Sequence, residues 1–289
     1  METGFQRIDA AIQESLIQIN ATKSSKPGYL PGLSTGLDDL DKVLGGFQPG
    51  CFYAIGGCPG MGKTGLALTI LRNVAVNTNE TVGMFSLDLN NLQVATRLLC
   101  MEAQMDSHLV RTGKLSRLQY EKLIKVSNKL KSTHIWIDDT PLISRSTLRA
   151  KARRLKAERD IKLLVIDYLQ LIKEIECSDD SECEERKTCQ MLKSLANELA
   201  VPVVLLIQLT SKIEKREDKR PKLYDFRYPD VISKTADGIL FIYRPWVYFN
   251  DKYSPADVDI IIAKNYNSPT GVVRLKFIDS YAEFESISG

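Results

Sequence analysis

Hydrophobic positions along the chain follow two rhythms. Phe5, Ile8, Ile12, Leu16 and Ile19 recur at steps of three and four, with Arg7, Asp9, Gln13 and Glu14 between them, which predicts one apolar stripe on a helix. Further on, short apolar runs alternate with longer amphipathic ones. The runs at 52–55, 81–86, 134–138, 161–167, 201–207, 238–243, 258–263 and 272–277 predict strands, and helical stretches intervene up to about residue 200. Such alternation argues an α/β fold: a mostly parallel twisted sheet flanked by helices on both faces. The last strands, joined by short turns, predict an antiparallel C-terminal extension. A chain of 289 residues with one continuous alternation is expected to form one large domain.

The N-terminal stripe needs a partner. Residues 21–32 supply Thr22, Ser24, Ser25, Pro27, Gly28, Pro31 and Gly32, a flexible linker that detaches the helix from the rest of the chain. The chain is therefore divided into 1–32, helix and linker, and 33–289, the main domain. Either the helix folds back onto its own domain or it crosses to another copy of the chain, and the linker favours the second. Residues 33–41 lead into a short helix closed by Gly45 and Gly46.

The stretch Gly57-Cys58-Pro59-Gly60-Met61-Gly62-Lys63-Thr64 matches the phosphate-loop pattern G-x-x-x-x-G-K-[ST] at every fixed position. It lies between a predicted strand and a helix at 64–76 that carries Leu66, Leu68, Ile70, Leu71 and Val74, the context the motif needs. Its glycines let backbone N–H groups curl around phosphate oxygens, and the helix adds unpaired donors and its positive dipole end. ATP is the expected ligand. Lys63 reaches toward the β- and γ-phosphates and Thr64 holds Mg²⁺ through its hydroxyl.

In such a sheet, ligands sit beyond the carboxyl ends of the strands. Asp167 closes the apolar run 161–166 and is the second expected Mg²⁺ ligand. Asp88, just past the strand at 81–86, either activates the attacking water or caps the next helix. Gln208 ends a third strand with an amide able to report the γ-phosphate to the following loop. Asp138 and Asp139 read as a solvated turn.

Apolar and charged fractions of 44% and 26% are those of an ordinary globular protein, and no apolar run approaches the length of a membrane span. With no signal-peptide pattern at the N-terminus, a cytoplasmic location and no membrane partner are expected. A net charge of +3 confines any basic surface to local patches. Cys177, Cys183 and Cys189 are evenly spaced, but zinc sites need four ligands and usually close pairs, so thiols are favoured over a cluster. The basic residues of 144–159 spread around their helix and read as solvated surface. Lys212, Lys215, Arg216, Lys219, Arg220 and Lys222 follow Gln208 in a loop that reads either as a nucleic-acid contact or as a solvated charge run.

These residues together resemble the C-terminal ATPase domain of the DnaB-type replicative DNA helicases with the linker helix that precedes it. The likeness covers nearly the whole chain. It is carried by Pro59-Gly60-Met61-Gly62-Lys63-Thr64, Phe85-Ser86-Leu87, Ile166-Asp167-Tyr168-Leu169-Gln170-Leu171-Ile172, Gln208-Leu209, Asp218-Lys219-Arg220-Pro221, Phe241-Ile242-Tyr243-Arg244, Ala263-Lys264 and Pro269-Thr270-Gly271. The resemblance implies a RecA-like P-loop NTPase fold, a homo-hexameric ring with ATP between subunits, and translocation along single-stranded DNA through its centre. It implies docking of the helix at 5–19 on the adjacent subunit, a DNA-binding role for Arg227, and primase or a helicase loader as further partners.

Where the family has a glutamate to activate water, this chain has Asp88. Where it has an arginine finger two residues after a lysine matching Lys264, this chain has Tyr266, leaving Lys264 as the candidate trans cation. Tyr228, Pro229, Asp230 and Val231 depart from the family's second DNA-binding loop, and the first pore loop is acidic, with Glu174, Glu176, Asp179, Asp180, Glu182, Glu184 and Glu185. An ATP-driven motor is the favoured expectation. A divergent ATP-binding paralogue with weak turnover is the alternative, and a recombinase or clock-type ATPase is disfavoured by the run at 166–172.

Overall fold

The computed structural model describes residues 7–9, 12, 13, 15–17, 30–172, 181–266 and 269–287. A nine-stranded sheet in the order β3-β2-β4-β5-β1-β6-β7-β8-β9 organises the main domain. Its strands are β1 (Phe52–Gly57), β2 (Val82–Ser86), β3 (Ile135–Asp138), β4 (Leu163–Asp167), β5 (Val203–Gln208), β6 (Gly238–Tyr243), β7 (Asp257–Lys264), β8 (Gly271–Ile278) and β9 (Glu283–Ser286). β3 to β6 in spatial order are parallel, and β7, β8 and β9 continue the sheet antiparallel. The predicted α/β sheet with its antiparallel extension is therefore present. Strands β1, β2, β4 and β6 are buried along their whole length, which is why they read as unbroken apolar runs.

Helices α1 (Asp38–Leu44), α2 (Lys63–Asn77), α3 (Asn91–Ala103), α4 (Ser107–Thr112), α5 (Arg117–Lys131), α6 (Arg145–Arg159), α7 (Ser181–Leu199) and α8 (Pro229–Thr235) connect the strands. Gly45 closes α1 in the left-handed conformation at φ 75°, as the paired glycines predicted. β9 is an addition to the predicted set. Phe284 packs on Phe277 at a centroid distance of 4.9 Å, and buried Glu283 pairs with Arg72 of α2, so the strand is held by long-range contacts rather than by its own pattern.

The basic helix α6 departs from expectation. Arg145 pairs with Glu184, Arg149 and Arg153 both bind Glu198, and Lys151 reaches Asp138 at 2.6 Å, so these cations brace α7 and β3 instead of facing water alone. Asp138 is thereby no solvated turn residue: Lys151 and Thr140 hydrogen bonds outweigh burial and hold its carboxyl below the ordinary value. Asp139 accepts from Asn91 N.

Among the described residues of the N-terminal stripe, Ile8, Ile12 and Leu16 are helical and exposed by 73%, 49% and 53%. Phe5, Ile19, most of the linker, Cys177 and the acidic residues at 174, 176, 179 and 180 lie outside the described residues. The main domain exposes apolar side chains of its own. α5 contains no buried residue; Tyr120 and Ile124, four apart on one of its faces, are exposed, as are Leu118 on α5 and Leu92 on α3. Among the described residues no helix is long and apolar enough to cross a membrane.

Candidate nucleotide site

The carboxyl ends of four parallel strands bring the predicted chemistry together. In register, Gly57 stands beside Gln208 and Ser86 beside Asp167, so the phosphate loop, the sensor amide and both carboxylates leave the same edge of the sheet. Gly60 and Gly62 hold φ of 76° and 92°, a turn that side chains rarely tolerate. At Gly62 a Cβ would also come within 3.1 Å of the Phe284 ring, which fixes the loop against β9.

Lys63 Nζ donates to the carbonyls of Gly57 and Cys58 at 2.9 and 3.1 Å, curling back over the loop. Burial pulls its ammonium below the ordinary value, and the charges of Asp167 and Asp88 oppose that shift. Thr64 Oγ1 donates to Asp167 Oδ2 at 2.7 Å. Asp167 is 2% exposed, and burial pushes its carboxyl up against the lowering effects of Thr64 and Lys63. A hydroxyl and a buried carboxylate are hard oxygen donors, a set that fits Mg²⁺.

Asp88 is exposed at the mouth of this site and its charge acts on both Lys63 and Asp167. The capping alternative for Asp88 is overturned. Asn90 caps α3, accepting from Gln93 N while Gln93 Oε1 accepts from Asn90 N, each at 2.9 Å. Ser86 Oγ donates to Leu89 O and so shapes the turn that presents Asp88.

Gln170 has a part that its motif did not disclose. The pairing of β4 with β5 stops at Ile166 and Leu205, and the Gln170 side chain takes over, donating to Gln208 O at 3.3 Å. An amide has both a donor and an acceptor, so it can replace a backbone rung where the strands diverge. Gln208 itself is exposed at the strand end.

The basic loop divides in two. Arg216, expected among the DNA contacts, turns inward. Its guanidinium binds both oxygens of Asp225 at 3.0 Å and the carbonyls of Asp218 and Arg220, so its donors are spent on loop structure. Arg220 pairs with Asp259 and Lys222 with Asp218. Lys212 and Lys215 stay exposed on either side of Ile213, which is fully buried and anchors their turn. Arg227 is exposed, lying 5.2 Å over the Tyr228 ring and donating to Ser181 Oγ.

Lys264 and Tyr266 border a separate cavity of about 780 Å³ between α7, α8 and the end of β7. Lys264 Nζ donates to the carbonyls of Ser233 and Ala236 at 2.8 and 2.6 Å, closing the C-terminus of α8. Tyr266 is 68% exposed. Among the described residues no group of three or more His, Cys, Asp or Glu is placed to hold a metal ion.

This geometry agrees with known proteins. The profile of the DnaB-like helicase C-terminal domain matches residues 32–286. Replicative DNA helicase DnaB of Geobacillus stearothermophilus is 40% identical over 264 residues, 91% of this chain and 58% of that protein. Replicative DNA helicase DnaC of Bacillus subtilis (strain 168) is 38% identical over 286 residues, 99% of this chain and 63% of that protein. The chain thus spans 58% and 63% of the length of these two curated relatives. Among solved structures, an isolated ATPase domain superposes with a TM-score of 0.89 at 29% identity, covering 97% of this chain and 100% of that one. A DnaB-like replicative helicase, described with its interactions with primase, superposes at 0.89 with 28% identity over 99% of this chain and 68% of that one. With a profile match across nearly all of the main domain and a shared RecA-like sheet, the chain belongs to the DnaB-like helicase C-terminal domain family.

Proposed function

We propose that the chain is an ATP-hydrolysing motor of a replicative DNA helicase, moving along single-stranded DNA as a homo-hexameric ring in the cytoplasm. The observation that carries this is the meeting of Lys63, Thr64, Asp167 and Gln208 at one sheet edge. In this reading residues 57–64 bind the ATP phosphates and Thr64 and Asp167 hold Mg²⁺, which supplies charge neutralisation when bound. Asp88 orients and deprotonates the attacking water. Gln208, held by Gln170, senses the γ-phosphate. Lys212, Lys215 and Arg227 contact DNA phosphates, with Arg216 keeping their loop folded.

Residues 1–32 form a helix and linker distinct from the ATPase domain at 33–289, and the helix docks on a neighbouring copy. Its exposed Ile8, Ile12 and Leu16 match in chemistry the exposed Tyr120 and Ile124 on one face of α5. Each subunit thus both offers and receives an apolar stripe, an arrangement that closes into a ring. Primase or a loader is the further partner class.

Exposed Tyr266, with Lys264 bound to two carbonyls, favours a second reading: a ring member that binds ATP and turns it over slowly. Steady-state ATPase rates with and without single-stranded DNA, with Lys63→Ala as the control, test the proposal. Lys63-dependent turnover that DNA stimulates supports the motor. ATP binding with negligible turnover in either condition supports the slow ring member.

A further inference from the structure

Two contacts run from the phosphate loop to the basic loop. The first is backbone: Leu209 N donates to Gly57 O, the same carbonyl that accepts from Lys63 Nζ. The second passes through a side chain from another part of the fold. Tyr248 follows β6, its ring stacked on Tyr243 with centroids 6.1 Å apart and planes at 17°. Its hydroxyl donates to Glu214 Oε1 at 2.8 Å. The Cys58 thiol lies near that same hydroxyl, close enough for each to act on the other's ionisation. Cys58 is the second residue of the phosphate loop, and Glu214 sits in the short turn at 211–215 between Lys212 and Lys215.

We propose that Tyr248 is a positioning residue that couples the nucleotide state of the phosphate loop to the placement of Lys212 and Lys215, through one hydroxyl held between Cys58 and Glu214. The inference rests on the motor reading above. Its physical basis is leverage. Ile213 is fully buried, so the turn pivots on it, and a shift of Glu214 moves the two lysines that flank it. Filling the phosphate loop reorients its backbone, and Cys58 hands that change to the Tyr248 hydroxyl. Burial pushes both the phenol and the thiol above their ordinary values. Arg220 lies 5.1 Å over the Tyr243 ring, which ties the far end of the same loop to the stack that holds Tyr248.

Tyr248→Phe removes the hydroxyl and keeps the ring. ATP affinity, turnover without DNA and melting temperature should stay at the values of the unmodified chain. Stimulation of turnover by oligo(dT) should fall about fivefold or more, the low end of a coupling between two sites. The same variant should lose the difference in oligo(dT) affinity between the ATP-bound and nucleotide-free protein. Glu214→Gln, which keeps an acceptor, should retain most of the stimulation that Glu214→Ala loses, and Tyr248→Phe with Glu214→Ala should be no worse than either alone. Full stimulation in Tyr248→Phe overturns the inference, as does an equal loss of basal and stimulated rates, which marks a purely structural role. An unmodified chain whose turnover ignores DNA overturns the motor reading, and the inference falls with it.

Discussion

The Thr64 hydroxyl donates to Asp167 Oδ2 across 2.7 Å and joins the start of α2 to the end of β4, residues 103 apart in sequence. The bond makes a clean test possible. Asp167→Asn keeps an acceptor for Thr64 and removes only the charge, so the melting temperature should hold while Mg²⁺-dependent turnover falls. A metal that neutralises phosphate charge contributes several kcal/mol, so a loss of about 10²-fold or more is expected. Lys63→Ala should abolish turnover in a folded protein. Magnesium titrations of ATPase rate beside thermal melts check both, and a rate unchanged in Asp167→Asn rules out its role at the metal.

Arg216 and Lys212 are neighbours in a run of like charges, yet they should fail differently when removed. Arg216→Ala strands Asp225, 2% exposed, without its bidentate partner, and should cost about 1.5–3 kcal/mol of stability, as hydrogen bonds to charged groups do. Lys212→Ala should leave stability alone and lower the salt dependence of DNA binding by about one counterion. Denaturant melts and a salt series of oligonucleotide affinity separate the two. Equal stability of both variants sinks the assignment.

That contrast also marks where sequence reading stops. The phosphate loop is legible because its eight residues are consecutive and each does a local job. The inner strands are legible because both faces are buried. Arg216 is not, since its partner Asp225 lies nine residues on and nothing in a basic run tells an inward guanidinium from an outward one. β9 is illegible for a related reason: Phe284 is its one apolar anchor, packed on Phe277 and Gly62, and Glu283 is buried only because Arg72 meets it. The true cap of α3 is within reach of the sequence, because Asn90 and Gln93 have capping-box spacing, and that spacing leaves Asp88 outside the cap.

The exposed stripe of Ile8, Ile12 and Leu16 should hold subunits together. Burying one such side chain contributes about 1.5–3 kcal/mol, so a charge in its place should weaken assembly about tenfold or more. Ile12→Asp on the helix and Ile124→Asp on the receiving face should each shift light-scattering mass toward smaller species at equal protein concentration. Ring formation undiminished in Ile12→Asp returns the helix to its own subunit.

Glu185 introduces a pH dependence. Burial pushes its carboxyl up to about 7, with Glu182 adding to the rise and Arg227 opposing it. The folded chain therefore holds this proton more tightly than the unfolded one. Its contribution to stability is complete below the ordinary value of 4.5 and is lost as pH rises through about 7. Glu185→Gln cannot titrate, so its melting temperature should exceed the parent's by a margin that grows from pH 5 to pH 8. A constant margin across that range disproves the shift.

Tyr266 stands where an arginine finger is expected, and a phenol cannot offset the charge that develops on the γ-phosphoryl group. A finger supplied in trans contributes about 10³ to 10⁵ in rate, so turnover by this chain should be slow even when assembled. Asp88, shorter by a methylene than glutamate, should hold an attacking water less well and compound the defect. Lys264 is the remaining cation on that strand end. Two of its three N–H donors are taken by Ser233 and Ala236, which leaves one for a neighbour's phosphate. Lys264→Ala should therefore lower both residual turnover and the melting temperature, because it uncaps α8 as well. Tyr266→Arg needs no such sacrifice, since the side chain is 68% exposed and the longer guanidinium has room to extend. It should raise the rate by at least about tenfold, a small share of what a finger contributes when its geometry is optimal. Because the charge acts between subunits, the gain should appear only at concentrations where the ring assembles and vanish in Ile12→Asp. A rate that does not move in assembled Tyr266→Arg means that the chemistry is limited elsewhere, and the missing finger is then no handicap to this protein.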